Sequence, residues 1–259
     1  MTRLAGVVAV NTFREAVRDR VLYSLLFFAL LMIAAAILVG QISIGIETLV
    51  IINLGLSAIS IIGLMMAVFI GVGLVYKEMD KRTLYAVLSK PIRRWEFLTG
   101  KFAGLLLTLL VNTALMTLGL AAALLYVKHS FAAADVTILV AVYFILLKLA
   151  LITALALFFS CFSSPLLSIL FTVGIYVAGL FASDIRTFGH ITGSRALDAI
   201  AVAFSYLIPN FNNFNITASA AYGRAVPAKL ILDNTLYAAV YAAIVLLAAA
   251  AAFSRRNLK

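Results

Sequence analysis

Six runs of mostly apolar residues constrain this chain more than any other feature. They cover roughly Val21–Gly40, Leu49–Tyr76, Phe102–Val127, Val136–Phe159, Leu166–Ser183 and Leu230–Phe253. A bilayer core takes about 20 helical residues to cross, so all but the short fifth run meet that length. Composition agrees. The 259 residues are 65% hydrophobic and 12% charged, with a mean hydropathy of +1.15. A soluble domain carries about twice that share of charge. The sequence therefore predicts an all-α membrane protein, with six transmembrane helices in one domain spanning residues 1–259. The Val21–Gly40 run continues past Ala34-Ala-Ala36 and follows twenty residues of leader, so it reads as a retained span rather than a cleaved signal. The second run is rich in glycine (Gly55, Gly63, Gly71, Gly73) and longer than needed, which predicts a tilt, a kink or an extension.

The net charge of +10 is a statement about orientation, not about nucleic acid. Fourteen Lys/Arg fall on one side of the predicted spans. They are Arg3, Arg14, Arg18 and Arg20, seven residues between Lys77 and Lys101, and Arg255, Arg256 and Lys259. The other side holds five: Lys128, Arg186, Arg195, Arg224 and Lys229. The Lys/Arg-rich side is expected to be cytoplasmic, with both termini there, in a prokaryotic inner membrane.

Three segments outside the spans carry pattern. Residues 1–20 read as an amphipathic cytoplasmic helix, with Val10, Phe13 and Val17 on one face and Asn11, Arg14, Glu15 and Arg18 on the other. Residues 184–228 are too long for a turn and too apolar for a free loop. They predict an outer helical segment closed by the Pro/Asn-rich run from Ile208 to Asn215. Residues 77–101 are the densest in charge. Glu78 to Leu88 makes about three helical turns, with Leu84, Val87 and Leu88 on one face and Glu78, Lys81, Arg82 and Tyr85 on the others. Pro91 ends that helix and suits the first turn of a new one, and Trp95 falls at the membrane entry. A basic loop alone satisfies topology; a helix, a proline break and a second helix suggest a docking surface for a cytoplasmic partner.

The stretch Glu78-Met-Asp-Lys-Arg-Thr83-Leu84, then Leu88-Ser-Lys-Pro91-Ile-Arg-Arg94-Trp-Glu-Phe and Gly100-Lys101 resembles the signature of type-2 ABC exporter permeases. The layout of an N-terminal amphipathic helix, six spans and an outer segment is similar as well. So is the Pro-Asn-rich run. Among subgroups, the chain resembles most the permease of the nitrous-oxide-reductase maturation transporter. The resemblance implies that residues 77–101 form a coupling helix seated on an ATP-binding cassette subunit, with contacts from Glu78, Lys81, Arg82, Thr83, Leu84, Tyr85, Val87, Leu88, Pro91 and Arg94. It implies ATP and Mg on that partner and a second permease chain beside this one.

The chain lacks a Gly-x-x-x-x-Gly-Lys-Ser/Thr phosphate loop, so no ATP chemistry is expected here; Gly100-Lys101 lacks both the first glycine and the hydroxyl. No metal-ligand or nucleophile–base spacing occurs. His129 and His190 stand in separate outer segments, and Cys161, the one cysteine, reads as a small boundary residue. Lys148 is the outlier, a cation in the middle of a span. It either faces a substrate path or packs inside the bundle against backbone carbonyls or a polar neighbour such as Asn53 or Asn112. Two rival functions stand beside the exporter. One is a non-transporting assembly or signalling protein docking its partner through the same loop. The other is an ion-coupled transporter, which the absence of mid-span acids and internal repeats disfavours.

Overall fold

A computed structural model describes residues 2–43, 45–80, 94–129, 135–182, 184 and 208–255. The described residues are helical, with no strand among them, as hydrocarbon demands when every backbone N–H and C=O must find a partner within its own segment. The helices are α1 (Thr2–Val17), α2 (Arg20–Ile42), α3 (Glu47–Asp80), α4 (Arg94–Lys128), α5 (Val136–Ser160), α6 (Pro165–Leu180), α7 (Thr217–Ala221) and α8 (Ala228–Arg255), with a 3₁₀ turn at Phe211–Phe214. Five of them (α2, α3, α4, α5 and α8) are long and apolar enough to span a membrane, and α6 is a shorter apolar helix. With α6 the architecture matches six spans. We call the end holding Asp19, Asp80 and Arg94 basal and the opposite end distal.

Local chemistry explains the breaks. Asp19 adopts an extended backbone and its Oδ1 accepts from the Val21 N–H at 3.0 Å, so it ends one helix and caps the next. Ser164 and Pro165 start α6, with proline at the position where a missing N–H costs nothing.

The core forms around α5, whose residues from Leu151 to Leu157 are all buried. α3 packs on one side of it and α8 on another, while α2 runs against α3. The glycines of α3 do not break it; it is helical from Glu47 to Asp80. Two of them, Gly55 and Gly63, are notches. A Cβ on Gly63 would lie 2.7 Å from Leu149 Cδ1 of α5, and one on Gly55 would collide with Leu120 of α4. At 1.5 Å per residue α3 and α4 are each about 50 Å long, well beyond a core of about 30 Å. α4 is already helical at Arg94, eight residues ahead of the span start at Phe102, in line with a new helix opening after the Pro91 break.

At the distal end, residues 208–221 fold back into the bundle. Phe211 and Phe214 are buried, the Thr137 Oγ1 hydroxyl donates to the Ala220 carbonyl at 3.4 Å, and α7 lies over α3 and α5. α6 is only about 24 Å long, and this segment closes its end. The Pro209 carbonyl oxygen and Phe211 ring lie so close to Gly179 that no side chain fits there. Asn210 shapes the turn: its Oδ1 accepts from the Asn212 N–H at 3.1 Å. Of the expected outer helical segment, 185–207 lie outside the described residues.

Candidate functional site: a basal helix clasp and a buried lysine

Two places hold the residues singled out from the sequence. The first is the base. Lys81, Arg82, Thr83, Leu84, Tyr85, Val87, Leu88 and Pro91 lie outside the described residues. Glu78 falls in the last turn of α3, and Arg94 opens α4. The two long helices carry Asp80 and Arg94 to the basal end, beyond a bilayer's thickness from the distal turns.

Two charged residues at the C-terminal end of the segment 77–101, Glu96 and Lys101, are both buried. The Lys101 Nζ lies 5.7 Å from the Phe97 ring centre. Phe97 in turn stacks on Phe253 of α8 at 6.2 Å, within a cluster that includes Leu98, Ala249 and Cys161. The Cys161 thiol is buried and donates to the Leu157 carbonyl at 3.2 Å.

The face of α1 that packs on the bundle is centred on Thr12 and Ala16 rather than on the apolar stripe, which a helix lying in the headgroup layer turns toward lipid. Val10 is 48% exposed, whereas Thr12 and Ala16 are buried at 1% and 0%. The helix lies along the basal half of α4, where Gly100 and Gly104 make a groove. A Cβ on Gly100 would lie 2.8 Å from the Ala5 carbonyl oxygen, and one on Gly104 2.5 Å from that of Ala9. Small residues four apart let two helix backbones approach closely. The signal was in the sequence as Gly-x-x-x-Gly, but Gly100-Lys101 reads as an accident when only a phosphate loop is sought.

The second place is the middle of the bundle. Lys148 is 9% exposed, twelve residues from the start of α5. Its Nζ donates to the Ser60 hydroxyl of α3 and lies 5.9 Å from the Tyr176 ring centre of α6, a cation–π distance. Tyr176 meets Phe211 of the distal turn at 5.3 Å between ring centres. The turn is tied to α8 by the Asn210 N–H donating to the Tyr237 hydroxyl at 3.0 Å. A column of Lys148, Tyr176 and Phe211 therefore joins mid-membrane to the distal end.

The two asparagines expected near Lys148 bond elsewhere. Asn53 donates its amide to the Leu49 carbonyl at 2.9 Å, and Asn112 to Thr108 at 2.8 Å, each one turn back on its own helix. Sequence reasoning missed Ser60 and Tyr176 because only the packing of α3, α5 and α6 brings them together. Among the described residues no group of His, Cys, Asp and Glu is placed to hold a metal.

Among the described residues the fold is that of a multi-pass, all-helical membrane protein. The family model described as ABC-2 family transporter protein matches residues 7–258. The chain is a member of the ABC-2 transporter family, a type-2 ABC permease. No curated protein matched the sequence.

Proposed function

We propose that this chain is the transmembrane permease of an ABC exporter. A separate ATP-binding cassette subunit supplies ATP and Mg, and its hydrolysis is coupled to movement of a substrate across or out of the membrane. The observation that carries this reading is the family match over residues 7–258, joined to a fold in which α3 and α4 both run far past the bilayer and flank residues 81–93. On this reading those residues, with Glu78 and Arg94, seat in the partner. Lys81, Arg82 and Glu78 make charged contacts, and Thr83, Leu84, Tyr85, Val87, Leu88 and Pro91 shape and fill the groove. The base faces the cytoplasm of a prokaryotic inner membrane, since the Lys/Arg excess lies there. A second permease chain completes the path.

In the path itself Lys148 acts first as a pin. It reaches a hydroxyl on α3 and a ring on α6 from α5, so it fixes three helices at mid-depth. Asn53 and Asn112 are weaker path candidates, because each donates an amide N–H to its own helix and neither is bonded to Lys148.

The test is coupling. The chain is co-purified with its ATP-binding subunit in nanodiscs, and Glu78→Ala and Arg82→Ala are compared with wild type. Both variants should assemble yet lose the link between ATP hydrolysis and transport. Full coupling in both would remove the docking assignment. A chain that binds an ATPase but moves nothing across a substrate panel would favour an assembly or signalling role.

A further inference from the structure

The distal halves of α4 and α5 part to leave a cleft of about 300 Å³. Thr117, Ala121 and Leu124 form one stripe along α4, and Val136, Ile138 and Leu139 face it from the first turn of α5. Leu124 and Ile138 are buried and make the floor; Val136 and Leu139 are exposed and make the rim. The one hydroxyl in the wall is spent, since Thr117 Oγ1 donates to the Thr113 carbonyl at 2.7 Å. The interior is therefore apolar. At the mouth, Lys128 Nζ and Asp135 Oδ1 form an ion pair at 2.7 Å, with Asp135 itself lining the cleft.

From Lys128 at the mouth to Thr117 at the foot is eleven residues of helix, about 16 Å. That is the depth of one leaflet, half of a core about 30 Å thick. The volume holds on the order of ten groups of water or methylene size, at about 30 Å³ each. An apolar slot of this size with an exposed rim of Val136 and Leu139, set between two helices long and apolar enough to span a membrane, suits hydrocarbon better than water.

We propose that the cleft is a binding site for one acyl chain of a phospholipid in the distal leaflet, and that the Lys128–Asp135 pair selects a zwitterionic headgroup. A cation and an anion side by side complement a headgroup that carries both charges. The phosphate meets Lys128, and the ammonium meets Asp135. An anionic headgroup without an amine satisfies Lys128 and is repelled by Asp135. The slot's size comes from Ala121, the one small residue in its wall, so a larger side chain there fills it without touching the pair at the mouth.

The test is lipid retention by the full-length purified chain, followed by native mass spectrometry after stepwise delipidation. The probes are phosphatidylethanolamine and phosphatidylglycerol of identical acyl chains. Wild type should keep one phosphatidylethanolamine per chain after the rest are removed. Asp135→Asn should shift the preference toward phosphatidylglycerol by about tenfold, the factor expected for one charge-assisted hydrogen bond. Ala121→Phe should lose both lipids while its melting temperature stays near wild type. If Ala121→Phe does not fold, Ala121→Leu fills the same slot with less bulk. Retention of phosphatidylethanolamine by a folded filled-cleft variant, or no retained lipid in wild type, overturns the site. Equal retention of the two lipids by wild type overturns the headgroup selection. The measurement uses no ATP-binding subunit, so its outcome is independent of the exporter reading.

Discussion

Closing the glycine groove on α4 should release α1. A Cβ at Gly104 would stand 2.5 Å from the Ala9 carbonyl oxygen and 2.7 Å from Thr12 Cβ, and one at Gly100 would stand 2.8 Å from both the Ala5 oxygen and Val8 Cβ. Backbone atoms cannot rotate away as a side-chain tip can. The helices must part by about 1 Å to restore ordinary contact, and overpacking of this kind costs about 1–3 kcal/mol per site. Alanine returns about 1 kcal/mol through its better helix propensity. The double variant Gly100→Ala/Gly104→Ala should therefore weaken docking of α1 by about 2 kcal/mol, roughly thirty-fold in the docked-to-released ratio. The readout is a thiol at Thr12, which is 1% exposed. In a Cys161→Ser background, Thr12→Cys should react slowly with a maleimide, and about thirty-fold faster when the glycines are replaced. Gly73→Ala is the control, because nothing lies within 4 Å of its added methyl. Unchanged labelling in the double variant would refute the groove, as would an equal rise in the control.

Three further outcomes follow from the packing. Lys148→Met and Ser60→Ala should be non-additive in thermal stability, with a coupling of about 1 kcal/mol in a double-mutant cycle; simple additivity would remove the pin between α3 and α5. Phe211→Ala should destabilise the protein by about 3–5 kcal/mol, because the ring is fully buried against Tyr176, whereas Tyr237→Phe, which removes the acceptor for the Asn210 N–H, should cost about 1 kcal/mol; similar melting temperatures for the two would contradict the plugged distal end. In the wild-type chain, whose single thiol is buried, maleimide labelling should be negligible until the base unfolds, and fast labelling of the native protein would show that the basal cluster is open.

The spans were legible because hydrocarbon imposes a length on them. The α2 helix, Arg20–Ile42, lies within two residues of the run Val21–Gly40, and α5, Val136–Ser160, within one of Val136–Phe159. The turn at Asn210 was legible for a local reason as well, since its amide oxygen closes on a backbone N–H two residues on. What depends on helix neighbours was not. A glycine in α3 looks the same in sequence whether it bends the helix or receives Leu149. Hydrophobicity marks the stripe of Val10, Phe13 and Val17 on α1, but the side that meets α4 is the one holding Thr12 and Ala16. Small size, not apolarity, is the property that matters there, because the partner surface is a groove. Charge density likewise does not show that Glu96 and Lys101 are buried; that depends on packing such as the aromatic pair Phe97–Phe253 beside Lys101. The partners of Lys148 required knowing which helices meet.

The length of α4 has a mechanical consequence. Thirty-five residues without a break make a stiff rod that carries α1 along its lower half and the acyl cleft along its upper half. Such a rod acts as a lever rather than a spring. A tilt of about 10° about its midpoint moves each tip by about 4–5 Å in opposite directions, given a half-length of about 26 Å. A push delivered at Arg94 would thus swing the Lys128 end by more than the width of a methylene, with the sense reversed and no hinge in between to absorb it.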